Sequence, residues 1–321
     1  MDCIWIDLTP HSLSMLVRCL TFCLDEGELL GMTDYSDWYV PGWYVVCASH
    51  RLKCEQVRSF SVCGKDLVVF RTSSGTVAAV EKDCASRSYP VYEQYGMIWF
   101  FAGETPYEQL PSEAHLFPRD TWRRVGSGDI GEIDTDCRDI MENAVDWAHF
   151  RPVHHIEVCK PEFLEIKPTR LRVRVDIRAA FDNIFWDGKI ARLLKQVGLN
   201  AYFTGTLHLT LYGPSLLYVD IDLHSRFYPP LRFITMLSPL APQKTKQFYA
   251  AYASVGLRNP FALLVARLFA RKLRIDLLAD KRMWKDKLPS DHAVLCDTER
   301  LSIAIYRDWW AKLAQAGQFP Q

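Results

Sequence analysis

Asp146, His149 and His154 stand close together in the stretch Glu142-Asn143-Ala144-Val145-Asp146-Trp147-Ala148-His149-Phe150-Arg151-Pro152-Val153-His154. A carboxylate and two imidazoles are donor groups that suit a single transition-metal ion. Asp146 and His149 are three positions apart, so on a helix they share a face. His154 would point roughly 140° away from His149 on the same helix, at about 100° per residue. Pro152 changes that expectation. A proline removes a backbone donor and biases the residue before it away from the helical region, so the helix is expected to end near Arg151 and let His154 turn back toward His149.

Two imidazoles leave a carboxylate to be found, because the facial triad that holds Fe(II) with open positions for oxygen and substrate needs one. A candidate lies far downstream. From Phe261 to Trp284 the apolar residues Leu264, Leu268, Leu273, Leu277 and Leu278 recur at helical spacing, so the segment reads as one long helix. It carries Asp276 and Asp280 one turn apart.

The pattern Asn143-x-x-Asp146-x-x-His149-x-x-x-x-His154 is similar to the mononuclear iron motif of Rieske-type non-haem oxygenases. The resemblance implies that His149 and His154 are iron ligands. It also implies that Asp146 is the catalytic aspartate linking this iron to the Rieske cluster of a neighbouring subunit. In the branch that acts on steroids the third ligand sits in a pattern like D-x-x-[IM]-W-x-x-K, and Asp280-Lys281-Arg282-Met283-Trp284-Lys285-Asp286-Lys287 resembles it. Asp280 is thereby implied as the third ligand, with Asp276 as the alternative if the register is off by one turn.

Residues 38–104 resemble a Rieske domain whose middle is missing. Short β-rich runs alternate with turns: Trp38 to Val46, then Asp66 to Thr72, Gly75, and Val77 to Val80 before Asp83-Cys84. In the family this leads into C-x-H and later C-x-x-H, which together hold the 2Fe–2S cluster. Here Cys84 is followed by Ala85-Ser86-Arg87-Ser88, and Tyr89 to Trp99 resembles the strands after the cluster loops. Cys84 is the remnant of the ligand set, since Cys47-Ala48-Ser49-His50 has a C-x-x-H spacing but lies upstream, in the wrong order. A mononuclear Fe(II) is therefore expected without a 2Fe–2S cluster in this chain. Its electrons would come from a Rieske oxygenase paralogue in a trimer or mixed oligomer, or from a ferredoxin and reductase.

The elements that must position these groups read as an α+β chain: an N-terminal extension (1–37), the truncated β module (38–104) and a catalytic domain (105–321). The resemblance implies a helix-grip (START-like) catalytic domain, an antiparallel sheet with a long C-terminal helix. Strands are predicted at Arg170–Ala179, Gly205–Tyr212, Leu216–Leu223, Phe233–Ser238 and Gln247–Ser254. Gly205-Thr206, Tyr212-Gly213-Pro214 and Thr235 to Pro242 are similar to the sheet of 3-ketosteroid 9α-hydroxylase oxygenases and cholesterol desaturases. The Trp284-containing helix and Tyr306-Arg307-Asp308-Trp309-Trp310 agree with that branch, which implies an apolar, steroid-like substrate together with O2. The contrasting reading is an inactive pseudo-oxygenase that binds a hydrophobic ligand or regulates an intact enzyme.

Composition narrows the classes further. With 321 residues, 49% hydrophobic and 13% aromatic, the chain can build a large core. Basic and acidic residues both number 38, so no polyanion-binding signature is present and nucleic acid is excluded as an expected partner. The cysteines form no C-x-x-C pair and no dense framework, which points to reduced thiols and a cytoplasmic setting. Ser12 to Leu24 is apolar but short, interrupted by Arg18, and preceded by Asp2 and Asp7 rather than positive charge; it supports neither a signal peptide nor a membrane span.

Overall fold

The computed structural model describes residues 38–83, 87–180, 202–224, 229–254, 260–284 and 297–316. The N-terminal extension with Ser12 to Leu24, and Cys84, lie outside the described residues. Residues 39–321 form one compact unit, which contains every described strand and helix. Among the described residues no helix is long and apolar enough to cross a membrane.

The Rieske-like strands come first: β1 (Gly42–Ala48), β2 (Val57–Val62), β3 (Lys65–Arg71), β4 (Val77–Glu81), β5 (Ser88–Tyr89), β6 (Val91–Gln94) and β7 (Met97–Ala102). They form two antiparallel sheets, ordered β1-β7-β6 and β2-β3-β4-β5. The β1–β7 pair is buried on both faces, which suits its unbroken apolar sequences GWYVVCA and MIWFFA. Helix α1 (Glu113–Leu116) then leads to β8 (Trp122–Ile133), α2 (Cys137–Glu142), α3 (Phe150–His154) and β9 (Ile156–Lys167). An antiparallel run follows: β10 (Arg170–Ala180), β11 (Tyr202–Tyr212), β12 (Leu216–Leu223), β13 (Leu231–Ala241) and β14 (Lys244–Ser254). The chain then enters α4 (Pro260–Trp284) and α5 (Asp297–Ala316).

The catalytic sheet has the order β8-β14-β13-β12-β11-β10-β9. Strands β9 to β14 are a meander, each pairing with the next. Strand β8, which precedes β9 in sequence, joins the opposite edge beside β14. The chain between β8 and β9, which contains α2 and α3, must therefore travel from one edge of the sheet to the other, and it carries His149 and His154 with it. All five predicted strands are present, Leu216–Leu223 with the same bounds and the other four somewhat wider. The edge strands β8 and β9 were not predicted. In β9, Leu164 and Ile166 are exposed, so its alternation of buried and polar positions is blurred.

Helix α4 begins at Pro260, where a missing N–H costs no intrahelical bond. Its inner face is the stripe Ala266, Ala270, Leu277, Asp280 and Trp284, all buried, whereas Leu264 and Leu268 are exposed. The leucine periodicity thus gave the helix but not its inner face at the N-terminal end. Close approach explains why: a Cβ on Gly126 of β8 would lie 3.0 Å from Cβ of Ala270, a contact that admits only small residues. The Rieske-like strands pack on the catalytic sheet. A Cβ on Gly42 would fall 2.5 Å from Cγ of Pro214, Cys63 N–H donates to Pro239 O at 2.8 Å, and Ser215 Oγ donates to Trp43 O.

Candidate metal centre

The segment before the histidines folds differently from expectation. Helix α2 ends at Glu142, and Asn143 to His149 form turns, so Asp146 and His149 do not share a regular helix. Pro152 lies inside α3, not after a helix end. It occupies the first turn, where a proline needs no N–H partner. His149 is the N-cap residue of α3, and His155, in the left-handed region at φ 55°, ends it. One short helix thus separates the two imidazoles, whose ring centroids lie 5.2 Å apart in a T-shaped arrangement. The rings meet as expected, by the opposite use of the proline.

His149, His154 and Asp280 are all buried, and each offers a ligand atom within 4.8 Å of the others. Asp280 reaches them from the inner face of α4, and Nε2 of His154 is 3.0 Å from its Oδ1. That is ion-pair range, yet Oδ1 of Asp280 has no aligned hydrogen-bond partner, while Nδ1 of each histidine is turned to a second carboxylate, Asp146 or Asp276, at 3.5 and 3.6 Å. Such a buried, unsatisfied polar atom costs about 1–3 kcal/mol. A cation held by the two imidazoles and the carboxylate would offset this, so the donor set fits a divalent iron.

A second layer surrounds the three groups. Oδ2 of Asp146 lies 3.5 Å from Nδ1 of His149, and its Oδ1 accepts from Ala148 N–H at 3.2 Å. Asp276, the alternative third ligand, is not part of the cluster; its Oδ1 lies 3.6 Å from Nδ1 of His154 and pairs with Lys272 one turn earlier on α4. That place beside His154 was missed; the i,i+4 Lys272–Asp276 spacing signalled only the pairing with Lys272. Burial alone would lower the His154 pKa, but the Asp276 and Asp280 carboxylates more than reverse this and lift it to about 9.

The cluster forms part of the wall of a cavity of about 160 Å³ lined by residues of the β8–β9 crossing segment, α4 and the sheet. Its sheet wall is apolar, with Leu207, Leu209, Leu217, Val219 and Phe233, and Trp284 closes the helix side. Thr235 and Gln247 also line it; Thr235 opens the stretch that resembles the family's sheet, but neither residue is marked by its sequence as a site residue.

The Rieske [2Fe-2S] domain matches residues 42–99, and the 3-ketosteroid 9alpha-hydroxylase C-terminal domain matches residues 98–313. The oxygenase component of 3-ketosteroid-9-alpha-monooxygenase from Rhodococcus rhodochrous is 20% identical over 235 residues, which is 67% of this chain and 54% of that protein. This chain therefore spans about half the length of that curated relative. The fold is shared with crystal structures of dicamba monooxygenase bound to dicamba (TM-score 0.57, 14% identity, 87% of this chain and 98% of that one). It is shared too with NdmA of Pseudomonas putida CBB5, as its QL mutant with caffeine (TM-score 0.57, 16% identity, 86% and 91%). These likenesses agree with the α+β class and the Rieske-like module before an oxygenase-like domain. With residues 98–313 matched, well over half of its length, the chain belongs to the 3-ketosteroid 9alpha-hydroxylase C-terminal domain family of Rieske oxygenases.

Proposed function

We propose that this chain is a mononuclear non-haem iron oxygenase subunit that hydroxylates an apolar ring compound with electrons delivered by another polypeptide. The observation that carries the reading is a buried His149–His154–Asp280 cluster in the wall of an apolar cavity. An Fe(II) held there would supply the redox chemistry that lets dioxygen react with an unactivated C–H bond. The protein's own residues do the rest. Asp146 orients His149 through Nδ1, and Asp276, braced by Lys272, orients His154 through its Nδ1. The apolar walls hold the substrate against the cluster and keep bulk water away. Asp146, whose side chain is about a quarter exposed, links the ligand His149 to the protein surface, where a donor can dock.

The electrons must come from elsewhere on this reading, because the Rieske-like strands lack a ligand set. A Rieske centre needs two cysteines and two histidines, and residues 42–99 contain His50 as their sole histidine. Cys47 beside it is buried, with its thiol pushed up to about 11 by that burial, which disfavours the thiolate a cluster requires. An intact Rieske oxygenase subunit in a trimer or mixed oligomer is the donor we favour, and a ferredoxin with its reductase is the other.

A steroid-like substrate is supported by the family. The cavity as it stands resembles in size the roughly 150 Å³ hole known to accept benzene, which favours a single-ring or fused-ring compound unless the walls part. The test is iron and acid-labile sulfide analysis of the purified protein, followed by turnover of steroid and monocyclic substrates with and without a co-expressed Rieske oxygenase subunit. About one iron per chain, no labile sulfide, and hydroxylation that depends on the second subunit are expected. Labile sulfide near two per chain, or steady turnover by the isolated protein, would overturn the reading of its electron supply. Failure to bind iron would overturn the enzyme reading itself.

A further inference from the structure

Strand pairing places Thr235 of β13 opposite Tyr249 of β14, and Leu237 opposite Gln247. Thr235 and Gln247 are therefore diagonal neighbours on one face of the sheet, the face that lines the cavity. On the β12 and β13 side the wall beside them is hydrocarbon: Leu217 stands opposite Thr235 on β12, and Val219 stands opposite Phe233. Thr235 and Gln247 are 2% and 1% exposed, yet Oγ1 of Thr235 and Oε1 of Gln247 have no hydrogen-bond partner. Buried polar atoms of this kind are normally satisfied, and leaving them unmade is costly. Neighbouring hydroxyl and amide oxygens in an apolar wall await a partner that the cavity must supply.

We propose that Thr235 and Gln247 form an anchor for one hydroxyl or carbonyl oxygen on an otherwise apolar substrate. The inference rests on the oxygenase reading and deepens it, since it gives the substrate a polar handle as well as a hydrocarbon body. Chemically the pair is versatile. A hydroxyl can donate or accept, and a primary amide offers both an acceptor and two donors, so it can receive an alcohol or a ketone. Such an anchor fixes which carbon of the substrate faces the His149–His154–Asp280 cluster, and a site built to bind an oxygen function discriminates strongly against the analogue that lacks it.

Indane, 2-indanol and 1-indanone serve as probes, with binding to the metal-free protein followed by calorimetry. After correction for octanol–water partitioning, wild type should prefer at least one oxygenated probe over indane by tenfold or more. Thr235→Val and Gln247→Met should lose that preference while holding indane affinity within about twofold. Thr235→Val should also raise the melting temperature of the ligand-free protein, because it replaces an unpartnered hydroxyl with a methyl of similar shape. Equal corrected binding of the three probes, retention of the preference in both variants, or no binding by any probe would overturn the anchor. So would a lowered melting temperature in Thr235→Val, which would mean that an internal water already satisfies the pair. Because every readout is binding or stability without metal, absence of iron-dependent turnover would sink the oxygenase reading while leaving these results to judge the anchor.

Discussion

Raising the pH should weaken the metal-free protein through one side chain, His154. Its pKa in the folded chain is about 9, against 6.5 for a free imidazole. At about 1.36 kcal/mol per pH unit, that gap corresponds to on the order of 3 kcal/mol. The folded pKa lies above the unfolded one, so the folded state holds the proton more tightly. The contribution is complete below about pH 6.5 and is lost as pH rises through about 9. Urea unfolding of chelator-treated wild type and His154→Ala, at about pH 6, pH 7.5 and pH 9.5, isolates the effect. Wild type should lose about 3 kcal/mol more than the variant across that range. The same proton must leave when a metal binds, so at pH 7 the apparent metal affinity should sit about a hundredfold below its alkaline limit. Calorimetry in buffers of different ionisation enthalpy should count at least one proton released per metal. A difference in pH slope below about 1 kcal/mol between wild type and His154→Ala would refute the argument that Asp276 and Asp280 hold that proton in place.

The ligand assignment predicts that His149→Ala and Asp280→Ala each lose Fe(II) binding, read by equilibrium dialysis under anaerobic conditions. Asp146→Asn should keep most of the iron and lose turnover; if it lost iron as fully as His149→Ala, its orienting role would be wrong. Asp276→Asn should weaken metal binding by about 10–100-fold at alkaline pH, where proton competition is gone, and wild-type affinity in that variant would show that the carboxylate beside His154 does not matter. Gly205→Ala should destabilise the protein by about 1–3 kcal/mol, because its new Cβ would lie 2.7 Å from the backbone oxygen of Asp222 on β12; a neutral effect in thermal unfolding would mean that the strands can part freely there.

Much of the site was visible in the residues. Asp146, His149 and His154 belong to one short segment, and the structure brings both imidazoles together. Asp280 lies more than a hundred residues away: the triad's need for a carboxylate pointed to the long helix, which offered two, and the likeness of Asp280–Lys287 to the family pattern favoured Asp280 over Asp276. In the structure Asp280 lies on the buried inner face of α4 with the two histidines, whereas Asp276 stands one turn earlier beside Nδ1 of His154. Pro152 misled because a proline both ends helices and begins them, and which it does depends on where the preceding chain turns. Strands β8 and β9 escaped notice because edge strands need not bury one clean face. Thr235 and Gln247 could not stand out, since a lone polar residue in a strand gains meaning only once the neighbouring strands set hydrocarbon beside it.

The order of the catalytic sheet has a consequence for how the protein assembles. Strands β9 to β14 pair with their sequence neighbours, so that meander can zip from local contacts. Strand β8 must wait, because its partner β14 is more than a hundred residues further along, as in the pairing of Ile133 with Thr245. Contacts of such long loop closure form late and slowly. The histidine-bearing segment is tied to β9 at one end and to β8 at the other, and Asp280 arrives on a helix that packs against β8. On the proposed reading, metal capture would wait for β8, and an ion bridging His149, His154 and Asp280 would act as a latch on that seam of the sheet.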